Sequence, residues 1–459
     1  MTQQKDDPDD GGACATPRLD PTLVDLLPLN AAVDATGCLV LGGVSVAALA
    51  ARFGTPLYVY DDGTIRAACR AYRDVFTTGR PGNRVHYASK AYLAPWLCRL
   101  LDEEGLDLDV VSGGEWFIAQ AAGFPAARMR LHGNNKDAAE LRMALDAGAG
   151  GIVVDNHDEL GLLTSMAEAA GRRVPVLLRL SPGVEAHTHE YLQTGLLDSK
   201  FGLPIATGDA LQALQCALAA AALDVRGYHM HVGTGLATCE AITEGVRRVV
   251  QFAQEARAQT GYWPREISAG GGLGIAYLRG ERTPSVRAWG DAIARGLVGA
   301  EPRPAVSVEP GRSIVGRAGV ALYTVGTRKR IAGVRDYVSV DGGMADNIRP
   351  ALYQAGYTAL AARRMNDRAV APVTVAGRYC ESGDILVRDA PLPALEPGDL
   401  LALAAAGAYC LPLSSQYNGA LRPAVVVVRG GETRLVQRRG VFADLLTYDT
   451  LVRLADEAE

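Results

Sequence analysis

The hydrophobic residues of this chain fall into short runs that recur regularly between residues 84 and 309. Runs rich in β-branched and aromatic residues predict eight buried strands, at residues 84–88, 106–111, 129–132, 151–154, 174–180, 225–232, 266–269 and 305–309. Segments rich in Ala and Leu with helical spacing separate these strands, for example at residues 137–147, 209–222 and 241–260. This alternation predicts a (β/α)8 barrel; the alternative, a doubly wound parallel sheet, usually has only about six strands.

The pattern changes after residue 309. Apolar runs separated by turn residues, rather than by long helices, predict strands at residues 320–325, 337–340, 371–375, 384–387, 400–404, 424–428 and 433–438. This pattern is typical of an antiparallel β domain, either a barrel or a sandwich. We therefore expect a disordered tail at residues 1–22, a segment packing on the β domain at 23–55, the barrel at 56–318 and the β domain at 319–459.

The charge balance disfavours several classes of protein. The chain carries 46 basic and 51 acidic side chains, and a formal charge of −5 offers no general attraction to nucleic acids or anionic membranes. No apolar run reaches the roughly 20 residues of a membrane helix, and the acidic N-terminus does not resemble a secretion signal. The eight cysteines are scattered without a metal-binding pattern, so we expect reduced thiols, no metal and a cytoplasmic location.

The candidate chemistry lies at the predicted strand ends, where barrel enzymes collect their reactive residues. Lys90 follows the first strand, His229 and His231 lie in the sixth, the glycine-rich residues 270–274 follow the seventh, and Glu309 ends the eighth. Glycines let backbone amides approach an anion such as a phosphate, although this segment lacks the nucleotide P-loop pattern. A tight structural turn is the alternative explanation for these glycines.

A phosphate site, a lysine and a carboxylate at one barrel mouth suggest pyridoxal phosphate as the cofactor. Lysine can form a Schiff base with an aldehyde, and the ring nitrogen of pyridoxal phosphate requires an acidic partner. Lys90 and Glu309 are the candidates for these two roles. The structural alternatives are a solvated Lys90 and an ion pair between Glu309 and Arg312.

Five motifs resemble those of the fold-type III pyridoxal-phosphate decarboxylases: residues 87–91 (Tyr-Ala-Ser-Lys-Ala), 231–234 (His-Val-Gly-Thr), 270–274 (Gly-Gly-Gly-Leu-Gly), 309–312 (Glu-Pro-Gly-Arg) and 380–384 (Cys-Glu-Ser-Gly-Asp). The resemblance is strongest to the diaminopimelate decarboxylase family, through residues 132–136, 182–190, 199–202, 349–353 and 407–409. It extends from about residue 25 to residue 450. It implies a barrel, a C-terminal β domain and a homodimer with active sites at the subunit interface.

The resemblance also implies a role for each matching residue. Lys90 would hold the cofactor covalently, His231 would stack on its ring, and Glu309 would keep the ring nitrogen protonated. The other implied cofactor contacts are Thr234, Gly272, Pro310, Gly311, Arg312 and Tyr409. The implied substrate contacts are Arg312, Arg349, Tyr353, Glu381 and Tyr409. Cys380, contributed across the dimer interface, would return a proton after CO2 is lost.

A few positions depart from the usual pattern of the family. Thr234 replaces a serine but keeps the hydroxyl, and Gly235 replaces a glutamine. Tyr92 and Gln416 both stand where asparagine is common, and we expect any change in substrate preference to arise from them. We expect His187 and His189 to be loop or helix-start residues rather than catalytic ones. Asp155, Asn156, Asn134 and Glu115 receive no role.

The main functional hypothesis is decarboxylation of meso-2,6-diaminopimelate to L-lysine, the last step of lysine biosynthesis. The alternative is a paralogue that acts on a related or carrier-tethered amino acid in secondary metabolism. The arginines disfavour an ornithine- or arginine-type decarboxylase, which needs no clamp for a distal carboxylate. Glu309 disfavours a racemase, and the presence of both Lys90 and Cys380 disfavours a non-catalytic regulator.

Overall fold

The computed structural model describes residues 19–184 and 199–450, so His187 and His189 lie outside the described residues. The N-terminal segment forms a small sheet and one helix: β1 (Ala32–Val33), β2 (Leu39–Leu41), β3 (Val44–Ser45) and α1 (Val46–Phe53). The Ser45 side chain caps α1, and Gly54, with φ of 70°, follows its last turn. Apolar side chains of this segment, such as Leu39 and Leu49, form one cluster with residues of the β domain.

The barrel follows β4 (Leu57–Asp61). Its elements in chain order are α2 (Asp62–Phe76), β5 (Arg84–Ala88), α3 (Pro95–Glu103), β6 (Asp107–Val110), α4 (Gly113–Ala121), β7 (Met129–Leu131), α5 (Ala138–Ala147), β8 (Gly151–Val154), α6 (His157–Ala169), β9 (Val174–Ser181), β10 (Leu203–Pro204), α7 (Asp209–Ala219), β11 (Leu223–Met230), α8 (Glu240–Thr260), β12 (Glu266–Ser268), α9 (Val286–Gly296) and β13 (Ala305–Val308).

Eight parallel strands close this barrel. The pairing runs from β5 through β6, β7, β8, β9, β11 and β12 to β13, which pairs again with β5; the short β10 adds to the side of β9. All eight predicted strands are confirmed, with ends that differ by no more than two residues. The barrel prediction succeeded because strands buried on both faces are nearly continuous apolar runs.

The β domain contains α10 (Arg312–Val315) at its entry, followed by β14 (Gly319–Ile331), β15 (Arg335–Val340), α11 (Arg349–Tyr353), β16 (Ala359–Ala361), β17 (Ala371–Ala376), β18 (Ile385–Leu392), β19 (Leu400–Leu403), β20 (Ala424–Arg429) and β21 (Glu432–Gln437). The main sheet has the order β18-β17-β15-β14-β4-β20-β21. The sheet is mixed rather than purely antiparallel as predicted, because β15 pairs with β17, and β20 with β4, in parallel.

Strand β4 belongs to this sheet, although the sequence pattern predicts a barrel from residue 56 onward. It pairs antiparallel with β14 and parallel with β20. Its side chains alternate between two apolar clusters: Leu57 and Val59 face the N-terminal segment, whereas Tyr58 and Tyr60 join the cluster that contains the barrel core. A strand buried on both faces looks like a barrel strand in the sequence, which explains the difference.

None of the helices in the described ranges combines the length and apolar character needed to cross a bilayer.

Candidate active site

A cavity of about 520 Å³ lies where the barrel strands end and is closed on one side by the β domain. Eleven of the thirteen site residues named from the sequence line it: Lys90, His231, Thr234, Gly272, Glu309, Pro310, Gly311, Arg312, Arg349, Tyr353 and Tyr409. Arg349, Tyr353 and Tyr409 come from the β domain, so both domains build this one cavity. Cys380 and Glu381 are not part of its lining.

Lys90 lies in a single 3-10 turn, Ser89–Ala91, directly after β5. Its Nζ is 3.9 Å from Oδ2 of Asp109, a buried residue of β6. Burial lowers the pKa of Lys90, but Asp109, Tyr409 and Glu309 together outweigh burial and raise it overall. Burial in turn raises the pKa of Asp109 to about 7. The lysine therefore carries the proton at neutral pH, and the carboxylate of Asp109, 3.9 Å away, is placed to take it when the lysine must react as a free amine.

Glu309, at the end of β13, is the centre of a buried hydrogen-bond network. Nε2 of His229 lies 2.9 Å from Oε2 of Glu309, and the Ser268 hydroxyl donates to Oε1 at 2.8 Å. Nε2 of His132 approaches Oε1 to 3.6 Å. Burial alone would raise the pKa of Glu309, but the two imidazoles and the hydrogen bonds hold it well below its usual value. An ionised carboxylate is what a protonated ring nitrogen requires.

The alternative ion pair between Glu309 and Arg312 does not form. Instead, Nη1 of Arg312 donates a hydrogen bond of 2.6 Å to the hydroxyl of Tyr277, and Glu309 is bonded as described above. The same guanidinium lies 4.8 Å from the ring centre of Tyr409. Arg312 is thus oriented by aromatic residues and remains available to a ligand.

Glycines bring the ends of the last three strands into close contact. A Cβ atom on Gly272, whose φ is 114°, would lie 2.4 Å from the carbonyl oxygen of Gly233. A Cβ on Gly311 would lie 2.9 Å from the Cβ of Ala91, next to Lys90. These positions admit only glycine, and with Thr234 they leave a backbone-lined pocket suited to an anion.

His231 lines the same cavity. Burial, together with the nearby Lys90 and Arg179, lowers the pKa of His231 well below its usual value, so the ring is neutral. A neutral imidazole can lie against a flat aromatic ligand without adding charge. Both carboxylate oxygens of Asp109 and Nε of Arg312 are buried without a hydrogen-bond partner in the described part of the chain. The cavity therefore holds polar atoms that a ligand can satisfy.

Arg349 begins α11 and reaches the cavity from the β domain. It donates to the hydroxyl of Tyr357, and its guanidinium lies 4.9 Å from the ring centre of Tyr277. Burial lowers the pKa of Arg349, but the surrounding tyrosines outweigh burial and raise it overall. Arg349 is therefore a permanent cation at the end of the cavity formed by the β domain.

Cys380 and Glu381 lie in the exposed loop between β17 and β18, outside the cavity of Lys90. Asp384 organises this loop, because its carboxylate accepts hydrogen bonds from the backbone amides of Tyr379, at 2.8 Å, and Met344, at 2.6 Å. Cys380 lines a separate cavity of about 630 Å³. Within one chain, Cys380, the expected proton donor, and Glu381, the expected ligand of the distal ammonium, are thus separated from Lys90.

Two of the four departures from the family pattern, Tyr92 and Gln416, do not line the cavity. Tyr92 is buried between the domains, where its ring stacks on Tyr60 with centres 4.8 Å apart, and its hydroxyl accepts from Nε1 of Trp96 at 3.4 Å. Gln416 is exposed and lines a different surface pocket. For Tyr92, which is buried away from the cavity, the structure gives no contact with the substrate end. For Gln416 the expectation stays a prediction, because its neighbour Tyr417 donates a hydrogen bond of 3.5 Å to Glu381, which lies outside the cavity as well.

The four residues left without a role have identifiable contacts. Asn156 caps α6, Glu115 accepts a hydrogen bond from the Val111 amide, and Asp155 lies 3.5 Å from Arg179. Asn134 lines the cavity. All but Asn134 thus support the backbone or a neighbouring charge.

The sequence alone did not reveal Asp109 or Tyr277, and Arg179, although it stands out in the fifth predicted strand, received no role. Asp109 and Arg179 are charged residues inside apolar strands, and this was the signal that could have revealed them, because a buried charge needs a partner. Tyr277 lies in a loop, and no sequence pattern marks it.

The cavity fits pyridoxal phosphate: a lysine for the aldehyde, a carboxylate for the ring nitrogen, a flat neutral ring and a backbone pocket for the phosphate. With the barrel and the β domain, these features define the class as a fold-type III enzyme that uses this cofactor. Glu309, Lys90, His231 and the glycines would hold the group.

Comparisons with known proteins agree with this class. Residues 62–316 match the family model of the pyridoxal-dependent decarboxylase, pyridoxal binding domain. The chain is 43% identical over 418 residues to diaminopimelate decarboxylase of Bacillus subtilis, covering 90% of this chain and 95% of that protein. Its structure resembles that of diaminopimelate decarboxylase from M. jannaschii in complex with L-lysine, with a TM-score of 0.86 and 32% identity over 94% of this chain and 99% of that one.

The Helicobacter pylori diaminopimelate decarboxylase complexed with L-lysine gives a TM-score of 0.82 at 31% identity, covering 88% of this chain and 99% of that one. The chain belongs to the diaminopimelate decarboxylase family of pyridoxal-dependent decarboxylases.

Proposed function

We propose that this enzyme removes CO2 from one end of meso-2,6-diaminopimelate and releases L-lysine. The observation that carries this proposal is that Arg312 and Arg349 line the same cavity as Lys90. Two arginines at the far end of the cavity suit a substrate with a second carboxylate, because guanidinium groups bind carboxylates with matched geometry. Ornithine and arginine have no such second carboxylate.

At the cofactor end, the residues of the chain divide the work between charge and orientation. Lys90 holds the cofactor, and Asp109 takes up the lysine proton. Ionised Glu309, fixed by His229 and Ser268, keeps the cofactor ring nitrogen protonated. When bound, pyridoxal phosphate supplies the electron sink that accepts the electron pair left when CO2 departs.

At the substrate end, Arg312 and Arg349 hold the distal carboxylate, with Tyr353 and Tyr409 beside them. This placement fixes the far amino acid and leaves the carboxylate to be lost near Lys90, so that binding also provides orientation. The resemblance assigns Glu381 to the distal ammonium and Cys380 to the returning proton at the reacting carbon. Both lie outside the cavity in a single chain, so we propose a homodimer in which the partner subunit's loop completes the site.

The proposal also includes a cytoplasmic setting, which agrees with reduced cysteines: among the described residues, seven cysteines are free thiols. The proposed partners are small amino acids and a second copy of the chain, without nucleic acid or membrane.

The test is CO2 release by the purified enzyme loaded with pyridoxal phosphate. Meso-diaminopimelate is compared with lysine, ornithine and arginine, and L-lysine is quantified as the product. Selective release from meso-diaminopimelate is expected. The matched variant is Arg349→Lys, which keeps the positive charge but loses the planar fork; we expect a higher KM with the cofactor still bound.

Two results would contradict the proposal. Release from lysine or ornithine at the rate of diaminopimelate would mean that the arginines do not select the substrate. A cofactor-loaded enzyme that releases CO2 from none of the four would point instead to a related or carrier-tethered amino acid.

A further inference from the structure

Tyr277 contacts both arginines of the proposed substrate site. It lies in the loop after β12, three residues beyond Gly274. Its hydroxyl accepts the hydrogen bond of 2.6 Å from Nη1 of Arg312, and its ring centre lies 4.9 Å from the guanidinium carbon of Arg349. Tyr277, a residue of the barrel, thus contacts both Arg312 at the end of the barrel and Arg349 of the β domain.

The other contacts of the two arginines are also aromatic. Arg312 lies over Tyr409, and Arg349 lies 5.4 Å from the ring centre of Tyr357 and donates to its hydroxyl. The rings of Tyr277 and Tyr357 meet edge to face, with centres 5.3 Å apart. In the described part of the chain, neither guanidinium forms an ion pair with a carboxylate. The cations are thus held in position without being neutralised, which leaves their charge for a ligand.

The position of Tyr277 is itself fixed from two sides. Its backbone amide donates to Oε2 of Glu281 at 2.8 Å, within the same loop. Its carbonyl oxygen accepts from the hydroxyl of Thr358, a β-domain residue, at 2.9 Å. A side chain anchored to both domains can set the distance between groups that the two domains contribute.

We propose that Tyr277 is a positioning residue that holds Arg312 and Arg349 at the spacing needed to bind one carboxylate, and that it thereby determines the preference for a substrate with a distal carboxylate. This inference rests on the proposed function. It predicts that Tyr277 affects ligands that carry this carboxylate and leaves ligands without it unaffected.

The test compares Tyr277→Phe, which removes the hydroxyl but keeps the ring, with Tyr277→Leu, which removes both. Tyr262→Phe is the matched control, because its hydroxyl donates to the carbonyl of Val225 away from the cavity. For each cofactor-loaded enzyme, the measurements are KM and kcat for meso-diaminopimelate, the affinities for L-lysine and cadaverine, and the affinity for pyridoxal phosphate. L-Lysine keeps one carboxylate, whereas cadaverine has none.

Tyr277→Phe is expected to raise KM and weaken L-lysine binding by roughly tenfold, as for the loss of a hydrogen bond to a charged group. The value of kcat, the affinity for cadaverine and the affinity for pyridoxal phosphate should change by less than about twofold, since none of them depends on the distal carboxylate. Tyr277→Leu should show a larger change in the same direction, and Tyr262→Phe should behave as the wild type.

Equal weakening of L-lysine and cadaverine, or a parallel loss of cofactor affinity, would make Tyr277 a structural support and overturn the proposal. An unchanged preference for L-lysine over cadaverine in Tyr277→Phe would overturn it as well. The binding comparison needs no turnover. A wild-type enzyme that releases no CO2 from diaminopimelate would therefore contradict the proposed function, while the effect of Tyr277 is still decided by binding. Should Tyr277→Leu not fold, Tyr277→Phe decides alone.

Discussion

The two ends of the cavity are built differently. At the cofactor end, Glu309 is bonded to His229 and Ser268, and Lys90 faces Asp109, so each charge has a partner within the chain. At the other end, the two arginines have aromatic and hydroxyl neighbours but no carboxylate partner among the described residues. The cofactor end is thus preorganised inside one subunit, whereas the substrate end is prepared to receive negative charge from a ligand.

The largest effect should come from the cofactor end. Lys90→Ala should lower kcat by roughly 10³-fold or more, because the covalent holder of the cofactor and its acid–base group are both lost. Mass spectrometry after borohydride reduction should find the cofactor adduct in the wild type and none in the variant. Lys329→Ala, at an exposed position on β14, is the control and should keep the adduct. A variant with full turnover would remove Lys90 from the mechanism.

The next experiment asks whether the substrate end is completed by a second chain. Lys90→Ala and Cys380→Ala should each be nearly inactive alone. After unfolding and refolding together in equal amounts, half of the dimers are mixed and contain one intact site, so about a quarter of wild-type activity should return. A mixture no more active than its components would show that Cys380 acts within its own chain or not at all.

A smaller effect should follow from Glu381→Gln. The loss of one charge opposite the distal ammonium should lower kcat/KM for meso-diaminopimelate by roughly 10- to 100-fold. The affinity for pyridoxal phosphate should remain within about twofold, as measured by cofactor titration. Glu432→Gln, an exposed position on β21, provides the control. Equal losses in substrate turnover and cofactor affinity would exclude a role confined to the substrate end.

The smallest effect should come from Tyr92→Phe. The hydroxyl of Tyr92 accepts one long hydrogen bond from Trp96, so its removal should cost about 1 kcal/mol of unfolding free energy or less. The value of kcat/KM should change by less than about twofold, because this side chain does not line the cavity. Thermal unfolding and steady-state kinetics measure the two quantities. A change in substrate preference would instead support the sequence-based expectation that Tyr92 influences the substrate end.

The cofactor end could be predicted from the sequence, because its residues follow directly on strands whose ends must meet in a barrel. Lys90 lies two residues beyond a predicted strand, and His231 and Glu309 lie at the ends of two others, so the closed barrel brings them together. The motif resemblance supplied the substrate residues of the β domain, such as Arg349, whose approach to the cavity depends on how the two domains pack.

Other features could not be read from the sequence, for physical reasons that differ between them. Tyr92 follows the lysine motif in the chain, but the turn at Ser89–Ala91 directs its side chain into the core. Its closeness to Lys90 in sequence therefore does not place it at the substrate. Tyr277 acts through contacts with residues 35 and 72 positions away, which no local pattern records. Cys380 is separated from Lys90 because of how the domains are arranged, and the sequence motif contains no information about that arrangement.

The place of β4 in the sheet has a consequence for synthesis on the ribosome. This strand emerges about 360 residues before β20, its parallel neighbour. At about 5–20 residues per second, the interval is roughly 20–70 seconds, during which a strand with two apolar faces lacks this partner, and until β14 has been made it lacks both neighbours. The β domain uses residues from both sides of the barrel in the chain, so no single cut in the gene yields the two domains as separate products.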